Sequence, residues 1–85
     1  MDDKMIKSVI QKIKEITNNS LNVQLNMKKM ENGLPDLKRN DINDVLLYLE
    51  QNNLINVINK IPFLGKKYIK IFKINSKFID TYPIP

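Results

Sequence analysis

From Gln51 onward the chain carries Lys60, Lys66, Lys67, Lys70, Lys73 and Lys77 against a single acid, Asp80. Ammonium groups this dense and this poor in counter-charge do one kind of chemistry well. They neutralise a polyanion, either nucleic acid or an anionic membrane surface. Residues 1–50 are balanced: Lys4, Lys7, Lys12, Lys14, Lys28, Lys29, Lys38 and Arg39 are matched by Asp2, Asp3, Glu15, Glu31, Asp36, Asp41, Asp44 and Glu50. The formal net charge of +5 therefore belongs to the C-terminal part. The plainer account of the same lysines is a solvated hairpin edge, since lysine commonly blunts edge strands.

Covalent and metal chemistry has little to stand on. The sequence contains no histidine and no cysteine, so the commonest general base, the commonest metal ligand and the thiolate nucleophile are all missing. Asp2 and Asp3 open the chain, Asp41 and Asp44 open a helix, and no carboxylate pair sits in an acid–base motif. Gly33 and Gly65 are too few for a phosphate-cradling loop. The methionines suit core filling and initiation better than a ligand set. No enzyme activity and no cofactor is expected. Lysine, asparagine and isoleucine dominate while alanine and tryptophan are absent. An AT-rich coding sequence produces that bias, so the many asparagines carry no functional weight. Met1–Asp3 is acidic, and the longest apolar run, Val45–Leu49, falls far short of the ~20 residues a membrane span needs. A soluble cytoplasmic protein of one domain is expected.

The elements that must position these charges follow from periodicity. Met5, Ile6, Val9, Ile10, Ile13 and Ile16 form one helical stripe, which Asp3 can cap. Leu21–Met27 alternates as a strand does, while Val23, Met27 and Met30 equally suit a helix. A short strand running into a helix over about Leu25–Glu31 reconciles the two, with Gly33 at a left-handed cap and Pro35 in the break. A third helix, capped by Asn40 or Asp41, carries Ile42, Val45, Leu46 and Leu49 and ends at Asn52–Asn53. Leu54–Lys60 and Tyr68–Ile74 read as two strands around a loop, Ile61–Lys66. Ile55, Val57 and Ile61 share a face of the first strand, and Tyr68, Phe72 and Ile74 a face of the second. Asn75–Pro85 is expected to lie extended.

That order of elements, with Leu46, Leu49, Leu54 and Ile55 around Leu46-Leu47-Tyr48-Leu49-Glu50-Gln51-Asn52-Asn53-Leu54-Ile55, resembles the winged helix-turn-helix superfamily. Asn53 stands where that superfamily prefers glycine, and the turn between the second and third helices is a few residues longer than in its compact bacterial members. The resemblance is nearest to small phage and plasmid regulators or partition adaptors of low-GC bacteria. It implies an α+β fold of three helices, a C-terminal β-hairpin wing and a short first strand. It also implies a dimer on double-stranded DNA, because two-fold operators reward dimers.

On that resemblance the third helix enters the major groove with Asp41, Asn43, Asp44, Leu47, Tyr48 and Gln51 outward. Asn43 reads adenine, Tyr48 reaches phosphate, and Lys38 and Arg39 sit at the helix entrance. Lys60, Lys66, Lys67, Lys70 and Lys73 give the wing to the phosphate backbone. Asp41, Asp44 and Glu50 oppose this, since carboxylates are repelled by phosphate. The apolar loop Pro62-Phe63-Leu64 has three accounts: it folds onto the core, makes a dimer contact, or wedges into DNA. A protein–protein interaction module, an adaptor or inhibitor with the acidic third helix and the apolar Phe63 and Leu64 as its docking surfaces, is the alternative to DNA binding. A membrane-surface role fits poorly, because the core claims the apolar face of the first helix.

Overall fold

A computed structural model describes residues 1–84. The first helix, α1 (Asp3–Thr17), buries Val9, Ile10 and Ile13 of its stripe. Its cap is Asp2 and not Asp3: the Asp2 carboxylate accepts the Met5 N–H at 2.8 Å. Asn18 then closes it in the left-handed region. Strand β1 is two residues, Leu25–Asn26, and helix α2 follows at Met27–Gly33. Asn26 does two jobs there, pairing in the sheet and accepting the Lys29 N–H as N-cap. Gly33 is the last residue of α2 and does not take the left-handed cap. Its lack of a side chain instead leaves room for the Lys12 aliphatic stem, 2.7 Å from where a Cβ would stand.

Helix α3 (Arg39–Gln51) begins earlier than its polar residues suggest, with Lys38 as N-cap and no side-chain cap bond. Ile42, Val45, Leu46 and Leu49 are all fully buried, as their spacing requires. Asn53 adopts φ 58°, the glycine-like role anticipated for it.

The hairpin is longer than the sequence suggests. Strand β2 runs Ile55–Phe63 and β3 runs Lys66–Ile74, so Ile61, Pro62 and Phe63 belong to a strand and the connection is only Leu64–Gly65. Both connecting residues have positive φ, 51° and 75°, the signature of a type I′ turn. The sheet is antiparallel in the order β1-β3-β2. The pairing is irregular around Asn59, a bulge that re-aims the side chains on either side of it. Ile69, Phe72 and Ile74 are therefore the buried residues of β3, and Tyr68 is only half-buried. On β2, Ile55 is buried and Ile61 is exposed.

Asn75 caps a fourth helix, α4 (Ser76–Thr81), which places Phe78 fully inside the core. The tail is therefore not wholly extended; Tyr82–Ile84 leaves the helix, and Pro85 lies outside the described residues. The architecture is α+β, four helices and a three-stranded sheet, compatible with a winged-helix arrangement apart from the additional helix.

Candidate nucleic-acid interface

Strand β3 is central in the sheet, and its lysines divide by what faces them. Ile69, Phe72 and Ile74 point into the core, so Lys70 and Lys73 stand on the solvent side. Lys67, next to the turn, and Lys70 are exposed, and Lys73 is half-buried. Among the described residues, none of these three has a carboxylate within ion-pair distance. Lys60 and Lys66 are different. The Lys60 ammonium lies 2.7 Å from Glu50, and that of Lys66 lies 2.9 Å from Asp44. The Asp44 carboxylate holds the Lys66 ammonium above its ordinary pKa, chiefly through this hydrogen bond. These exposed or half-exposed pairs contribute little to stability, but they neutralise two of the three acids that made α3 an unfavourable neighbour for phosphate. Lys67, Lys70 and Lys73 remain as uncompensated charge on the hairpin.

The helix residues divide as well. Asn43 is fully buried, and both ends of its amide are occupied. Its Nδ2 donates to the Lys67 carbonyl at 3.0 Å, and its Oδ1 accepts the Ile69 N–H at 2.9 Å. This corrects the expectation of an outward, adenine-reading side chain. Strand β1 pairs with β3 only at Ile71 and Phe72, so the edge of β3 nearer the turn has no strand beside it. The Asn43 amide serves that edge as a strand would, because buried backbone groups must find partners. The sequence did not display this role, since it depends on how short β1 is.

Tyr48 is exposed and lies near Tyr82, whose phenol pKa is pushed up by burial and then by Tyr48. It belongs to the side where the tail returns. Arg39 is exposed and bonds Glu31 at 2.9 Å, tying α3 to α2, and Lys38 is exposed. Asn40, expected as a cap of α3, lies inside its first turn and instead accepts a hydrogen bond from the Tyr68 hydroxyl, which fixes the start of α3 against the hairpin.

The turn itself is bare. Leu64 is 89% exposed, Phe63 58% and Ile61 41%, so the loop does not fold onto the core. Phe63 meets Tyr68 edge to face, with centroids 5.9 Å apart, while Leu64 reaches into solvent. A leucine in the left-handed region costs on the order of 1 kcal/mol, because its Cβ crowds the following carbonyl.

Among the described residues no three His, Cys, Asp or Glu side chains gather to hold a metal ion, and no helix is long and apolar enough to cross a membrane. No protein-family model matches the chain, and no curated protein matches it. Among solved structures it is similar to Stf76 from the Sulfolobus islandicus plasmid-virus pSSVx, at 21% identity. The likeness covers 87% of this chain and 92% of that one with a TM-score of 0.53, and it is a likeness of fold.

Proposed function

We propose that this chain is a winged helix-turn-helix DNA-binding protein, a regulator or partition adaptor of a phage- or plasmid-type replicon. It acts in the cytoplasm as a homodimer and catalyses nothing. The hairpin is the wing, and it grips the phosphate backbone through Lys67, Lys70 and Lys73. The observation that carries this reading is the uncompensated charge of those three lysines beside a helix whose Asp44 and Glu50 are already neutralised. The fold likeness to a plasmid-virus protein agrees with it. Lys60 and Lys66, held by Glu50 and Asp44, serve the interface by screening those carboxylates from the phosphates. Lys38 and Arg39 supply further backbone contacts at the entrance of α3. With Asn43 inside, base reading by α3 falls to few groups, and sequence preference comes more from the shape of the DNA.

The test is duplex binding as a function of salt. Affinity is expected to fall steeply with salt, by nearly one unit in the logarithmic slope for each phosphate contact. The double reversal Lys67→Glu/Lys70→Glu is expected to weaken binding to all duplexes alike. Unchanged affinity in that variant would take the hairpin out of the interface. Absence of binding to any duplex at low salt would favour a protein–protein interaction module on the same scaffold, with the exposed Phe63 and Leu64 as its contact.

A further inference from the structure

Leu64 has no use inside the chain: it occupies a strained backbone position, touches no core residue and is the most exposed large apolar side chain. Strain kept at an exposed turn is a mark of a contact made elsewhere. On the reading of the chain as a DNA-binding protein, we propose that the hairpin tip is a wedge. Leu64, backed by Phe63, enters between base pairs from the minor groove and unstacks them, while Lys67 and Lys70 hold the flanking phosphates. The duplex kinks away from the tip.

Charge and shape choose this occupant over a second copy of the chain. Strand β2 is the long edge of the sheet, since β1 on the other side is two residues, and it is the place where another copy would add a strand. That edge is blunted by the irregularity at Asn59, by Lys60 and by Pro62. Pro62 is opposite Lys67, whose carbonyl turns away toward Asn43, so the proline nitrogen faces outward where a donor would be needed. Two tips brought together would also oppose lysines of like charge.

A membrane suits the tip less well than a duplex does. A bilayer surface presents its anions in a plane, and would be met by cations at one depth behind the apolar tip. Here the free lysines run back along the ribbon from Lys67 to Lys73, a distance of about 20 Å at ~3.3 Å per residue. Phosphates lined along a groove match that arrangement. The connection is only two residues long, so the tip projects little besides Leu64 and Phe63, and leucine and phenylalanine are side chains of the kind that unstack base steps from the minor groove.

Leu64→Asn tests the wedge, because asparagine tolerates the left-handed turn and the variant should fold at least as well as the parent. The probe is a short duplex with central TpA steps, one adenine replaced by 2-aminopurine, and a donor–acceptor dye pair at its ends. The parent protein is expected to raise 2-aminopurine fluorescence severalfold and to shorten the end-to-end distance. Leu64→Asn is expected to bind the same duplex with an unchanged salt slope and to do neither. Salt-dependent binding by the parent without unstacking would overturn the wedge and leave DNA binding standing. No binding by either protein would overturn both. Leu64-dependent flotation with phosphatidylserine vesicles, together with an unperturbed duplex, would overturn the wedge in favour of a lipid surface. Leu64-dependent self-association in sedimentation, again with an unperturbed duplex, would overturn it in favour of a second copy.

Discussion

Asn43 separates what a helical wheel can show from what it cannot. The wheel puts it beside the stripe of Ile42, Val45, Leu46 and Leu49, and with those four turned inward it reads as an outward residue, which it is not. The fold turns that side of α3 to the bare edge of β3, where the amide takes one donor and one acceptor. Replacing Asn43 by alanine strands a buried N–H and a carbonyl, so a loss of about 1–3 kcal/mol is expected. Chemical denaturation of the variant measures it, and a change below ~0.5 kcal/mol would deny the side chain its structural role. Asn43→Asp is expected to fare no better, because a carboxylate can accept from Ile69 but cannot donate to Lys67. The lysines were legible for the opposite reason. Their meaning lies in a count of charge, and only their division into paired Lys60 and Lys66 and free Lys67, Lys70 and Lys73 needed coordinates.

Among the elements, α1 and α3 were plain in the sequence, because a period of 3.6 residues copies burial directly. The hairpin was harder. Pro62 reads as a strand breaker, yet on an edge strand with its nitrogen outward it breaks nothing. The irregularity at Asn59 changes which face is inward, so alternation read along β3 grouped Tyr68 with Phe72 when Ile69 is the buried one. Helix α4 was hidden because six residues carry no period to speak of; the Asn75 cap and the docking of Phe78 make it. Its end makes an alkaline test. Burial, and then Tyr48, holds the Tyr82 phenol above its ordinary value of about 10. The folded state thus keeps the proton more tightly than the unfolded one, and the tail's contribution is full below pH ~10 and lost as pH rises through the folded value. Melting followed from neutral to alkaline pH is expected to show this loss. Tyr82→Phe keeps the ring near Phe78 (5.2 Å between centroids) and is expected to reduce the loss. The Lys66–Asp44 pair weakens in the same direction, so an identical alkaline profile in Tyr82→Phe would assign the loss there instead.

At the scale of the whole molecule, charge and core occupy different places. The buried cluster joins α1, α2, α3, the sheet and α4, while the uncompensated lysines run along the returning strand of one hairpin from its turn to its base. The sequence conveyed that separation, since every excess charge follows Gln51. It did not convey that α3 spends Asp44 and Glu50 on the hairpin, because those pairs join residues brought close only by folding. Leu64 stands outside this economy, adding strain to the fold and contacts to nothing within it. The position should therefore answer differently to different selections. A randomised library sorted only for thermal resistance is expected to drift there toward asparagine or glycine. Sorted for retention of duplex binding and bending, the same library is expected to keep a bulky apolar side chain. Sequencing the two pools would show whether duplex bending, rather than the fold, is what favours leucine at this position.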